Sequence, residues 1–182
     1  MENKELFEFL TDTALKLGAF KAKVIDAEKV ETDRSFRAIC ESNSCGAFGR
    51  CWACPPDCGD IDELMASLKD YRYALVFQTV GELEDSYDFE GMIEHKKSYV
   101  RILDKLRAEA RKVLSKALYL GAGGCGMCDE CAKRRGEPCV DPENAIVSLE
   151  AYGVNVSRLA AVSDMKYING KDTVTYFGAI FF

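Results

Sequence analysis

Apolar residues recur along this chain with two periods, and the switches between them outline its elements. Leu6, Phe7, Leu10, Ala14 and Leu17 fall on one face of a helix, with Asn3 as N-cap and Gly18 as stop. Phe20, Ala22 and Val24 then alternate with lysines, as a half-exposed strand requires. Asp60 and Glu63 form the pattern of a capping box and open a helix through Leu64 and Leu68. Residues 73–80, YALVFQTV, are continuously apolar, the signature of a strand buried on both faces. An acidic loop from Glu82 to Glu90 follows. Tyr99, Ile102, Leu103, Leu106, Ala110, Val113, Leu114 and Ala117 then mark a long amphipathic helix, with His95 near its start. Asp141-Pro142 reads as N-cap and first residue of another helix. The chain ends in TVTYFGAIFF (173–182), a strand in which Gly178 marks a bulge or a close backbone contact.

Two stretches break the pattern, 40–58 and 121–139, and both are rich in cysteine, glycine and turn residues. With no repeat and no low-complexity linker, 1–182 reads as a single compact α/β domain. A mixed sheet with flanking helices carries two cysteine-rich, metal-binding loop insertions.

Composition narrows the function. The formal net charge of −6 argues against nucleic acid as a main partner, which would demand a basic surface. The one compact basic run, Lys133-Arg134-Arg135, reads as a solvated helix end, with docking of an acidic partner as the alternative. No apolar run approaches the roughly 20 residues of a membrane span, and MENKELFEFL lacks the pattern of a signal peptide. The expected compartment is therefore the cytoplasm. There disulfides are rare, so nine cysteines in two clumps point to metal or redox chemistry.

Cys125, Cys128 and Cys131 are spaced i, i+3, i+6, and Cys139 follows after seven residues. Three thiolates at that spacing wrap a loop around a cubane and leave the fourth corner to a more distant cysteine, as in bacterial ferredoxins. Gly123, Gly124 and Gly126 would let backbone amides reach the sulfurs and offset the cluster's charge. Tetrahedral zinc is the alternative, although it more often takes two separated C-x-x-C knuckles. Gly121, Gly123 and Gly126 also match G-x-G-x-x-G, but cysteines inside a loop that follows a helix are the wrong setting for a dinucleotide.

In the first stretch Cys40, Cys45, Cys51, Cys54 and Cys58 offer five thiols for a second metal site, with Pro55-Pro56 extending the chain after Cys54. Phe48 and Trp52 are placed to shield a cluster from water. The order C-x4-C-G-x-F-G-x-C-W-x-C-P-P (40–56), followed by G-G-C-x-x-C-x-x-C (123–131), resembles a family of predicted metal-binding proteins, domain of unknown function 2284. SLEAYGVNV (148–156) and TYFGAIFF (175–182) are similar to it as well. The resemblance covers nearly the whole chain and implies metal binding without a defined reaction. It also implies that Cys40, Cys45, Cys54, Cys125, Cys128, Cys131 and Cys139 are the pattern's positions, whereas Cys51 and Cys58 depart from it. The fourth ligand of the first site stays open between those two, or absent with an open iron. Cys58 is preferred because the prolines can turn it back toward Cys54.

These readings predict a 4Fe–4S cluster on Cys125, Cys128, Cys131 and Cys139, and a second metal on Cys40, Cys45, Cys54 and Cys58. The function that follows is electron transfer or cluster carriage with a redox protein partner. A zinc-stabilised interaction module and a cluster-dependent enzyme are the alternatives. His95 is the only histidine and reads as solvated, and Glu137, Asp141 and Glu143 read as caps and surface charges. The remaining carboxylate near the second stretch is Glu150.

Overall fold

The computed structural model describes residues 2–182. A five-stranded mixed sheet organises them, in the order β1 (Lys21–Asp26), β2 (Tyr73–Glu82), β5 (Thr173–Phe181), β3 (Leu118–Gly121) and β4 (Val147–Ser148). Every neighbouring pair is antiparallel except β3 and β4, which run parallel. Helices α1 (Asn3–Lys16) and α4 (Phe89–Ala110) cover one face. The other face carries α5 (Val156–Val162) and the one-turn helix Glu150–Tyr152, with α2 (Phe36–Glu41) and α3 (Ile61–Ser67) beside them. This is the α/β arrangement that the hydrophobic pattern predicts.

The centre of β2 explains the layering. Ala74, Leu75, Val76 and Phe77 are all fully buried, because side chains alternate across a strand sandwiched between β1 and β5. Leu75 and Phe77 join Leu10, Ala14, Tyr99, Leu103 and Leu106 in one core, while Ala74 and Val76 join Leu149, Val154 and Leu159 in the other. Gly178 makes no bulge: Phe77 pairs with Gly178 in an unbroken register. It is a close contact instead, since a Cβ there would lie 2.5 Å from the Phe77 ring and 3.0 Å from the Tyr99 hydroxyl.

Several boundaries differ from the periodicity. Helix α1 starts at Asn3, with Glu2 in the cap position. Helix α4 begins at Phe89, because Asp88 caps it by accepting the Gly91 N–H at 2.8 Å. It ends at Ala110; Val113, Leu114 and Ala117 still pack on the same core, but from a turn, which is why the apolar pattern runs past the helix. Asp141-Pro142 opens a turn rather than a helix. The Asn144 carbonyl is held at 2.6 Å by buried Arg107, and β4 begins three residues later. The sequence pattern passed over β3, β4 and α5. Among the described residues no helix is long and apolar enough to cross a membrane.

Both cysteine stretches lie at the β3–β4 edge. The second one leaves β3 at Gly121 and returns to the sheet as β4, and the first, between α2 and α3, packs against it.

Candidate metal centre

Nothing in the first stretch can extend into a long element, so it folds as a run of turns. Cys40 sits on the short helix α2. Beyond it, Cys54 N–H donates to the Cys51 carbonyl at 3.0 Å, and Cys58 N–H donates to that of Cys54 at 3.1 Å. The second stretch turns at Gly123 and Gly126, whose φ values of 61° and 71° favour residues without a Cβ. Gly126 also lies close to Val100, which a Cβ would approach to 3.1 Å. The N–H groups that reach the sulfurs are not the glycines': Ile146, for one, donates to Cys125 Sγ at 3.3 Å.

All nine cysteines are free thiols, and eight of them ring two adjoining cavities. The larger, about 360 Å³, is walled by Cys51, Cys125, Cys128, Cys131 and Cys139, with Arg50 and Arg134 beside apolar Met127 and Val140. The smaller, about 220 Å³, is walled by Cys40, Cys45 and Cys54, with Phe48, Ser148 and Glu150. Ala47 and Gly124 belong to both walls. Among the described residues no three His, Cys, Asp or Glu side chains converge closely enough to hold a single ion. The thiols stand around the cavities instead.

The two uncertain cysteines separate. Cys51 is buried and faces the second stretch, where the Cys125 and Ala53 amides point at its sulfur. Hydrogen bonding from the Cys54 thiol pulls Cys51 toward the thiolate and holds the proton on Cys54. Cys58 lies outside the lining of both cavities, beside the Arg37 guanidinium. Burial pushes its thiol up and Arg37 pulls it down. Arg37 is itself anchored on the carbonyls of Gly59 at 3.1 Å and Ala151 at 3.3 Å.

A polar clamp joins the two stretches. Lys133 forms an ion pair with Asp57, and its ammonium lies 4.4 Å from the centre of the Trp52 ring. The Trp52 indole N–H donates to the Glu137 carbonyl at 2.9 Å. Lys133 is therefore not a solvated helix end. Arg135, by contrast, is half exposed and pairs with Glu130 and Glu137 on the surface.

Residues 23–182 match a family described as predicted metal-binding protein (DUF2284). The chain belongs to that family. No curated protein and no solved structure matches it. The donor chemistry fits the family's description. Thiols without disulfides ring two roomy spaces, arginines stand beside one of them, and a buried carboxylate oxygen beside the other has no partner.

That carboxylate in this DUF2284 chain is Glu150, the only charge in the otherwise apolar or small run 145–152, AIVSLEAY. This is the signal by which its burial was readable. Its Oε2 is shut off from solvent with no hydrogen-bond partner, and burial raises the carboxyl, while Ser148 and Lys96 act to keep it charged. Lys96 on α4 is pushed down to about 8, chiefly by burial. Its ammonium donates to the Ala122 carbonyl and lies over the rings of Tyr99 (4.9 Å) and Tyr176 (5.3 Å). Sequence reasoning missed both Lys96 and Arg37, since lysine and arginine on helices normally face water. His95 is half-buried rather than solvated: it stacks on Tyr176 at 5.8 Å and contacts Thr79 Oγ1 at 3.1 Å, and burial lowers its protonation.

Proposed function

We propose that this DUF2284 protein holds two iron–sulfur clusters in its adjoining cavities and passes electrons between them and a protein partner. The observation that carries the reading is the arrangement of the thiols. They surround roomy, mostly apolar spaces instead of meeting at a point. Four thiolates on one zinc, with Zn–S near 2.3 Å, stand only about 3.8 Å apart, so the walls of a 360 Å³ cavity suit a larger polynuclear group better. The i, i+3, i+6 run of Cys125, Cys128 and Cys131 favours the same group, with Cys139 as the fourth thiolate. When bound, such a cluster supplies one-electron chemistry. The chain's part is to hold it with thiolates, offset its negative charge with Arg50, Arg134 and the Ile146 N–H, and exclude water with Met127 and Trp52.

A relay follows from the shared wall. Cys51 and Cys54 are on one turn, the first facing the larger cavity and the second the smaller, so the two groups would be separated by little more than that turn. Cys128 is exposed, and Val140 beside it is 70% exposed, so a redox protein can reach the larger cavity there. The test is EPR of the anaerobically prepared protein reduced by dithionite. Two clusters this close give spin–spin broadening or splitting; a spectrum of one cluster, or the plain sum of two isolated ones, rejects the relay.

A further inference from the structure

We propose that Glu150 is the fourth protein ligand of the cluster in the smaller cavity, completing a set of three thiolates and one carboxylate around it. This rests on the reading that Cys40, Cys45 and Cys54 hold a metal there.

The wall of that cavity contains these three cysteines and Glu150, and neither Cys51 nor Cys58. Cys51 is turned to the other cavity, and Cys58, although near Cys40 and Cys54, is hydrogen-bonded by Arg37 and stays out of the cavity wall. Glu150 Oε2 meanwhile sits in the protein without solvent and without a hydrogen bond. A buried carboxylate oxygen left this way is unfavourable, and natural structures offset it with a cation, a donor or a metal. The nearby cation, Lys96, acts on the carboxylate only through space, because its ammonium is given to the Ala122 carbonyl and to two aromatic rings. A cluster iron in the cavity is the partner that the geometry leaves. The position is also rigid: Ala151 N–H donates to Ser148 Oγ at 3.1 Å, and the one-turn helix that carries Glu150 follows directly on β4.

The chemical consequence is an asymmetric site. Carboxylate oxygen is a harder ligand than thiolate and binds a thiophilic metal less tightly. The metal atom facing Glu150 is therefore the one at which a small oxygen-donor molecule can exchange. Glu150 also forms part of the wall of a second cleft, about 370 Å³, bounded by Tyr167, Thr175, Tyr176 and Phe177.

The test is Mössbauer spectroscopy of protein reconstituted anaerobically with iron-57 and sulfide, as wild type, Glu150→Cys and Cys58→Ser. Wild type should show one iron subsite of raised isomer shift, from oxygen ligation. Glu150→Cys should move it into the thiolate-ligated envelope, and Cys58→Ser should leave it in place. An all-thiolate wild-type spectrum overturns the proposal without reference to any variant, as does loss of the smaller cavity's iron in Cys58→Ser with Glu150→Cys unchanged. Uptake of zinc without iron or sulfide overturns the iron–sulfur reading and this proposal together, whereas an all-thiolate cluster overturns this proposal alone.

Discussion

Replacing Lys133 by methionine tests whether the two cysteine stretches are clamped together or merely adjacent. The lysine and Asp57 side chains are only 16% and 21% exposed, so their ion pair is largely screened from water. Exposed pairs contribute about 0–1 kcal/mol, and breaking a fully buried pair costs about 3–5. This pair lies between those limits, near about 2 kcal/mol. Loss of the contact with the Trp52 ring, at 4.4 Å, adds about 0.5–2 kcal/mol. Methionine keeps most of the stem's packing, so the charge is what is removed. Lys133→Met should then destabilise the protein by about 2–4 kcal/mol, lowering Tm by roughly 5–15 °C for a chain of this size. Because the clamp joins the two stretches and its Trp52 walls the larger cavity, losing it should also speed metal release to an external chelator. Thermal melts followed by circular dichroism read the first effect, and stopped-flow chelation reads the second. A double-mutant cycle with Asp57→Asn should give a coupling of about 1 kcal/mol or more. If Lys133→Met stays within about 0.5 kcal/mol of wild type and releases metal at the same rate, the clamp reasoning is refuted.

Two further outcomes concern the core beneath the site. Gly178→Ala would drive a methyl to 2.5 Å from the Phe77 ring, so urea unfolding should show a loss of about 1–3 kcal/mol, and an unchanged midpoint would mean that the strands separate freely. His95 takes up a proton less readily folded than unfolded, because burial opposes the charge. Stability should therefore fall as pH drops from about 6.5 toward its lowered folded value, and His95→Gln should flatten that part of the profile. An identical profile in the variant would show that the half-buried ring has no part in the acid sensitivity.

The central strands were legible because burial on both faces leaves a continuous apolar run, as in β2, and because the Thr173–Phe181 stretch ends the chain in the same way. Strands β3 and β4 were not, since four and two residues carry too little pattern, and a parallel pair at a sheet edge is made by long-range contacts. Helix α4 was misplaced because Leu114 and Ala117 keep burying against its core after the helix has ended. At the site, spacing picked out the cysteine stretches but not which way each thiol faces. In Cys51-Trp52-Ala53-Cys54 the two sulfurs end on walls of different cavities, a consequence of one turn of backbone and of the second stretch packing on it. The polar partners escaped for a different reason. Lys133, Lys96 and His95 occupy sequence settings typical of solvent, and only the packing of distant segments removes water from them.

The measurement that bears most directly on the account is the content of iron, acid-labile sulfide and zinc per chain in protein purified without oxygen. Two clusters predict iron and sulfide in equal amounts at several atoms of each per chain, about eight when both are cubanes, with zinc well below one. Stoichiometric zinc with no sulfide would contradict the account.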